Sequence, residues 1–321
     1  MSEKVDPEYT KNAVAPATIT KGQKFKRHCV RRWWCWLISF VIFVIVVVIV
    51  VIYGIIPPVA QKTLDNTTLN IESIRILQPQ EDKFQFSVTS YITGSSKLAH
   101  KATIDPMVAE FYLKDQDPFM YLPLPGVHGG DNILVEKLNH TTEITDQKMF
   151  GNFAKTLMQT ENFDMGIWGK TKIHLGAIKA NVKYREWVNL KGFNKLSGMV
   201  INKYNIETTG DYRIVGSVII PNPTVFTLQV GNVLLDLSLN YTRLGTGILP
   251  NLTIAPGLNA YEFKANLTMA NTLKLASAVI SGASMQVQAT DVQYEGQSIP
   301  WLSAPLSAVQ IDVPVNTSYV L

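Results

Sequence analysis

The residues that could carry chemistry are few and scattered. Five histidines occur, His28, His100, His128, His140 and His174, and no two fall at a metal-ligand spacing such as H-x3-H. Asp115 and Asp117 form an i, i+2 carboxylate pair that would share one face of a strand. General acid–base work needs a shaped pocket around such a pair. This one precedes Pro118, so a solvated turn is expected. Gly126-Val-His-Gly-Gly-Asp131 has the glycines of a phosphate loop but lacks the Lys-Ser/Thr and the helix that give such a loop its mechanics. It reads as a Gly-rich hairpin turn. Ser281-Gly-Ala-Ser284 supplies no G-x-S-x-G nucleophile elbow. No catalytic, cofactor-binding or metal-ligating residue is assigned, and the chain is expected to be non-enzymatic and without a cofactor.

Modification chemistry is better represented. Asn-x-Ser/Thr sequons with x other than Pro occur at Asn66, Asn139, Asn240, Asn251, Asn266 and Asn316. Such sites accept glycans only in a secretory lumen. The two cysteines, Cys29 and Cys35, lie together near the N-terminus beside basic residues. A thiol in that setting at a bilayer surface is a candidate for S-palmitoylation. The rest of the chain has no cysteine, which excludes Cys-type zinc sites and thiol nucleophiles there.

The element that positions all of this is an apolar run. From Trp33 to Ile56 no charged residue occurs for 24 positions. At ~1.5 Å per residue that makes ~36 Å of helix, enough for a ~30 Å hydrocarbon core. Lipid leaves a single segment no option but helix, despite the many β-branched side chains. Lys21, Lys24, Lys26, Arg27, Arg31 and Arg32 precede the run. After it comes Pro57-Pro58, expected to end the helix, with Lys62 the one nearby cation. The positive-inside rule then places the tail in the cytosol and about 265 residues across the membrane. Trp33, Trp34 and Trp36 suit one headgroup level and Tyr53 the other. The run is too long for a signal peptide, and no A-x-A-like cleavage site follows it. All six sequons fall on the far side, in agreement with this orientation.

Charge follows the same division. Residues 1–33 carry eight Lys/Arg against three Asp/Glu, and the remainder carries 21 against 22. The overall +4 is therefore a juxtamembrane patch that sets topology and attracts anionic headgroups. The folded part is neutral, which argues against nucleic acid as a partner. Residues 1–32 are expected to form a polar, disordered cytosolic tail and residues 33–56 the span.

Beyond Pro58, period-2 alternation predicts antiparallel strands. Tyr261 to Met269 puts Tyr261, Phe263, Ala265, Leu267 and Met269 on one face and Asn266 on the wet one. Val233 to Leu239 repeats the pattern, and Gln85 to Tyr91 repeats it more weakly. A faint internal repeat appears: a strand, a Pro/Gly/Asn turn, another strand, then a helix. It runs from Tyr112 through Asp146–Thr160, and again from Tyr241 through Ala270–Ser281. Short strands with such turns predict a mainly β fold built of two sandwiches, residues 62–192 and 193–321. Phe111, Tyr112, Phe119, Tyr121, Trp168 and Trp187 are expected to be core, or else to line a groove for an acyl chain or other apolar ligand.

Pro221-Asn222-Pro223-Thr224, then Leu228-Gln-Val-Gly231-Asn-Val, then Leu244-Gly245 and Pro256-Gly257-Leu-Asn259, resembles a LEA-2 (late embryogenesis abundant, water-stress and hypersensitive response) domain. The first half resembles a divergent copy, with Gln78-Pro79 standing loosely where Asn-Pro would be. Glu186 to Asn194 is similar to the closing strand and linker of tandem copies in fungal vacuolar-membrane proteins. The resemblance implies two immunoglobulin-like sandwiches, each with a helix, behind one transmembrane helix. It carries no catalytic residues. It implies a binding or scaffolding module in the lumen of a fungal-type vacuole, with a lipid or a lumenal protein as ligand. Lipid transfer is the alternative activity, and the ER or plasma membrane the alternative location.

Overall fold

The computed structural model describes residues 21–94, 102–176, 178–207, 211–280 and 283–314. The chain divides into two units, Met1–Ile56 and Pro57–Leu321. In the first, helix α1 (Lys21–Val50) leads into a π-helical turn, Val51–Ile55. Trp33–Lys62 is long and apolar enough to cross a membrane; its most apolar 18-residue stretch has a mean hydropathy of 3.5, and none of that stretch is buried in protein. Trp33, Trp34, Trp36 and Tyr53 are all exposed. A contiguous apolar surface of that size calls for an apolar solvent.

Pro57-Pro58 was expected to end the helix, and the structure corrects this. Both prolines lie inside a helix that continues: α2 (Ile56–Asp65) follows the π-helical turn without a break, Ile56 keeping helical φ and ψ and donating to the Val51 carbonyl. A proline within a helix removes one backbone donor, and the π-helical turn Val51–Ile55 just before the pair is where the hydrogen-bond ladder shifts.

The second unit is mainly β. In its first half α2 is followed by β1 (Thr67–Leu77), β2 (Lys83–Gly94), β3 (Ala102–Ile104), β4 (Met107–Leu113), β5 (Met120–Leu124), β6 (Val127–His128) and β7 (Asn132–Glu143). Helix α3 (Gln147–Gln159) leads to β8 (Asn162–Leu175) and β9 (Ile178–Lys191). The second half has β10 (Val200–Ile206), β11 (Ile214–Asn222), β12 (Phe226–Leu239), β13 (Thr242–Ile254) and β14 (Gly257–Leu267). Helix α4 (Met269–Ile280) then precedes β15 (Ser284–Tyr294), β16 (Gln297–Ser298), α5 (Pro300–Ser307) and β17 (Gln310–Pro314).

Local sequence accounts for these elements. Asp146 caps α3 by accepting from the Met149 N–H at 2.9 Å, and Phe150, Phe153, Ala154, Leu157 and Met158 form its buried face. In β9, Ala180, Val182 and Tyr184 are buried while Asn181 and Lys183 are exposed, the alternation of a sheet with one wet face.

The ladders make the repeat explicit. In the first half β1 pairs with β2, β2 with β7, β5 with β4, β4 with β8, and β8 with β9. In the second half β10 pairs with β11, β11 with β14, β14 with β13, β13 with β12, β12 with β15, and β15 with β17. The two orders correspond strand for strand, and α3 and α4 fall at the same place in each. One link differs. β13 and β14 are laddered, whereas among the described residues their counterparts β5 and β7 are not.

The halves join through backbone and core. β1 runs parallel to β12 from Ile74↔Phe226 to Ile76↔Leu228, which puts strands of both halves in one 11-stranded sheet. Trp301 of α5 packs against Phe84 and Phe150 of the first half, and its Nε1–H donates to the Gln80 carbonyl at 2.8 Å. The 192/193 position lies between β9 and the short 3-10 turn Asn194–Leu196.

Candidate functional site

The missing ladder leaves a cleft between the sheets of the first half. A cavity of about 60 Å³ lies there. β1 and β2 line it with Leu69, Ile71, Val88 and Ile92, and the facing strands with Phe111, Ile167 and Tyr184. Leu124 and Val127 pack onto Ile92, Ile133 and Val135, so the β5–β7 seam is held by side chains rather than by backbone hydrogen bonds. The corresponding space in the second half, between Ile201, Leu237, Phe263, Ala265 and Met285, is only about 10 Å³.

β6 continues the ladder of β5 in the same register, with Ile104↔Val127 and Thr103↔His128 following Met107↔Leu124. Gly126 lies at the interruption between them, so close to the Ile104 carbonyl and to Pro106 that a Cβ would crowd both. The Gly-rich segment that follows, Gly129-Gly130-Asp131, turns the chain into β7, and β5 and β7 do not zip. In the second half the strands also part around Pro256-Gly257, and the β13–β14 ladder forms only at their far ends, from Gly245↔Leu267 to Ile248↔Lys264.

One polar group inside the cleft has no partner. The Tyr184 hydroxyl is buried and makes no hydrogen bond among the described residues, while the residue as a whole is 5% exposed. Burial, and then the nearby Glu186 carboxylate, push its pKa far up, so it stays a protonated donor. Burial also raises the pKa of Glu186, although a hydrogen bond from the Leu69 backbone offsets part of the effect.

Next to the cleft, sharing Asp105 and Thr171 with it, runs an open groove of about 630 Å³. Lys170, Lys172 and Lys183 line it, with Pro57, Pro58 and Gln61 of α2. The dividing wall is built: the Thr171 hydroxyl donates to the Asp105 carbonyl at 2.7 Å, and the Asp105 carboxylate meets His174 Nε2 at 2.9 Å. Helix α2 is fixed to the edge of β9. The Gln61 side-chain amide donates to the Lys183 carbonyl at 2.7 Å and its oxygen accepts from the Lys183 N–H at 2.9 Å, as a neighbouring strand would. Leu64, 5% exposed, reaches from α2 into the cleft lining.

The residues singled out from sequence are dispersed. Asn66, Asn139, Asn240, Asn251 and Asn266 are exposed, and Asn316 lies outside the described residues. Asn139 and Asn251 occupy matching bulges with φ of 49° and 47°. Their backbone N–H groups donate to Ser87 Oγ at 2.8 Å and Asn232 Oδ1 at 2.9 Å. Cys35 is a free, exposed thiol. Lys24, Lys26, Arg27, Cys29, Arg31 and Arg32 fall in α1, and their side chains lie outside the described set.

Asp115 and Asp117 are exposed in a turn after β4, beside Trp187 and Lys148 in a shallow surface hollow. His128 meets Thr103 Oγ1 at 3.1 Å. Burial and then Lys137 lower the pKa of His140. Of the aromatics expected in the core, Phe111 and Phe119 are buried, but Tyr121 and Trp187 are exposed, at 42% and 50%. Trp187 instead meets Tyr112, edge to face at 5.1 Å, on the outer surface.

The motifs behind the family resemblance are architectural. Asn222, 3% exposed, donates through Nδ2 to the Phe226 carbonyl at 2.7 Å. Its Oδ1 accepts from the Thr224 N–H at 2.9 Å and from the Thr224 hydroxyl at 2.7 Å. Asn222-Pro223-Thr224 is thus a buried clasp between β11 and β12. Asn259 likewise ties its turn by donating to the Ala255 carbonyl at 2.9 Å. The site residues that sequence reading missed are Tyr184, Asp105, His174 and the three lysines. Only the alternation of β9 could have signalled Tyr184, as an inward hydroxyl on an apolar face.

A family model described as "Protein of unknown function (DUF3712)" matches residues 117–237, a segment that runs from the loop before β5 into β12. No curated protein matches the chain. Solved structures that match include the solution structure of AT1g01470 from Arabidopsis thaliana, with 12% sequence identity, 38% of this chain and 80% of that chain covered, and a TM-score of 0.27.

Proposed function

We propose that the protein is a non-enzymatic, membrane-anchored binding module whose first half takes up an apolar chain. The observation that carries this reading is the cleft: an apolar space of about 60 Å³ beside an unladdered seam, with one buried, unpartnered hydroxyl in it. That volume equals about two waters at ~30 Å³ each. It does not hold a whole acyl chain as it stands. Uptake parts the seam, where only side-chain contacts between β5, β6 and β7 resist. The same space is filled in the second half, which serves as the joint and support.

The wider setting belongs to the same proposal. The chain is a type II single-pass protein with a cytosolic tail. Its two LEA-2-like sandwiches stand in the lumen of a fungal-type vacuole and carry glycans on the exposed sequons. The charge asymmetry across the apolar run and the exposure of all five described sequon asparagines support this orientation. The motifs at Asn222 and Asn259 support the LEA-2 assignment.

Native mass spectrometry of the full chain in detergent tests the binding reading. The wild type retains an acyl-chain lipid that Val135→Phe, which fills the cleft, does not. Equal lipid retention by both would sink the proposal, because annular lipid around the anchor is common to the two. Endoglycosidase treatment of sealed vesicles tests the topology. A protein that keeps its mobility, and whose large unit is open to added protease, has the opposite orientation. Imaging of a tagged chain decides between vacuole, ER and plasma membrane.

A further inference from the structure

The cleft and the groove beside it have opposite chemistry and share one wall. The cleft is mainly apolar, with Ser90, Asp105, Thr171 and Tyr184 its polar lining residues. The groove carries Lys170, Lys172 and Lys183, and among the described residues none of the three ammonium groups pairs with a carboxylate. Its one carboxylate, Asp105, is engaged by His174 at 2.9 Å. The groove therefore presents net positive charge, although residues 34–321 as a whole carry one more acid than base. Lys170 and Lys172 stand on β8 on either side of Thr171, which is buried, and Lys183 stands on β9 beside the buried Tyr184. Alternation along two paired strands thus points lysines to one side of the sheet and cleft-lining groups to the other.

We infer that the ligand is an acylated phospholipid with an anionic headgroup. Its phosphate is held by Lys170, Lys172 and Lys183, and its chain passes the wall at Asp105 and Thr171, where the two spaces adjoin, into the cleft. This rests on the reading of the cleft as an apolar-chain site. Three features converge on the ligand class. The apolar lining selects a hydrocarbon chain. The unpartnered Tyr184 hydroxyl is a protonated donor, and an acyl ester carbonyl is the acceptor that would enter with such a chain. The three ammonium groups, unpaired with any carboxylate among the described residues although Lys170 lies 5.1 Å over the Trp168 ring, select a phosphate, where a zwitterionic headgroup would bring its own cation against them. Connectivity supports a membrane source, because Pro57, Pro58 and Gln61 of the groove follow directly on the apolar run that ends at Ile56.

The test uses the full chain in neutral detergent with diazirine-tagged acyl probes of equal chain length: phosphatidic acid, phosphatidylcholine and diacylglycerol. Labelled peptides are then mapped. Phosphatidic acid labels β2, β5 and β7 roughly tenfold more than phosphatidylcholine at low salt, and salt erodes that preference. Lys170→Glu, Lys172→Glu and Lys183→Glu together abolish the preference while diacylglycerol labelling of the same strands persists, which also shows that the variant is folded. Glycerol phosphate in excess does not compete, since the acyl chain is needed to reach the cleft; full competition would mean a free-phosphate site and overturn the lipid assignment. Equal labelling by all three probes overturns the headgroup inference and leaves the cleft reading intact. No labelling of these strands by any probe overturns both.

Discussion

The two halves of the large unit share a strand order and differ at one seam. In the second half β13 and β14 are laddered and the interior is filled by side chains to within about 10 Å³. In the first half the counterpart strands are not laddered at all among the described residues, and about 60 Å³ stays open next to an orphaned hydroxyl. A repeat that keeps its architecture in one copy and loosens it in the other separates what the fold needs from what it can spare. The second copy also holds the molecule together, since Trp301 and β12 reach into the first.

The comparison breaks most visibly at the joint. Trp301→Ala removes a 6%-exposed ring from between Phe84 and Phe150, together with its bond to Gln80, and costs about 3–5 kcal/mol. Denaturant unfolding of the variant should stay a single transition at a lower midpoint. Two separated transitions would show that the halves stand independently.

Core enlargement probes the difference in packing. Ala265→Leu overfills the tight second half and costs about 1–3 kcal/mol. Val135→Leu adds one methylene beside the open cleft and costs under ~1 kcal/mol, since it fills space already present. Comparable losses in the two variants would mean that the cleft closes in solution.

Two tyrosines sharpen the polar contrast. Tyr184→Phe deletes an unsatisfied buried hydroxyl and leaves stability unchanged or raised by about 1 kcal/mol. Tyr261→Phe deletes the acceptor of the Ala255 N–H, bonded at 3.2 Å, and lowers stability by about 1 kcal/mol. Thermal melts of the two variants should move in opposite directions or differ by that amount.

The smallest effects are those of pH. Burial alone would raise Asp291, but hydrogen bonds from Ser298, Gln293, Ser303 and the Val292 N–H outweigh it and hold its pKa below 3.8. Its contribution is present above that ordinary value and lost as pH falls through the lowered pKa. Glu186, raised by burial, contributes in the other sense: fully below its ordinary 4.5, and lost as pH rises through the raised value. Asp291→Asn should flatten the acid limb of a stability–pH curve, and Glu186→Gln the limb just above it. A curve unchanged by either substitution would contradict these assignments.

Much of the scaffold was legible locally. The Phe150, Phe153, Ala154, Leu157 spacing placed α3 to within a residue at each end, because periodicity and the Asp146 cap are both properties of neighbours in sequence. The alternation at Val233 to Leu239 and at Phe263 to Leu267 marked β12 and β14 for the same reason. Met269 broke the pattern: alternation put it on the inner face of a strand, but it starts α4 and is 50% exposed. The cleft was not legible. It depends on β5 and β7 not laddering with each other, a long-range outcome that neither strand's local pattern announces. The lysine groove was hidden likewise, since Lys170, Lys172 and Lys183 read as ordinary wet-face residues until α2 closes the groove beside them.

The central claim is that the first half, and not the second, takes up an acyl chain. Photo-crosslinking of the full chain with a diazirine-tagged acyl lipid, followed by peptide mapping, tests it most directly. The account predicts adducts on the lining of the cleft, at Ile92, Val127 and Val135, and none around Leu237, Phe263 and Ala265 in the second half. Adducts confined to the apolar helix, or shared equally by the two halves, would contradict it.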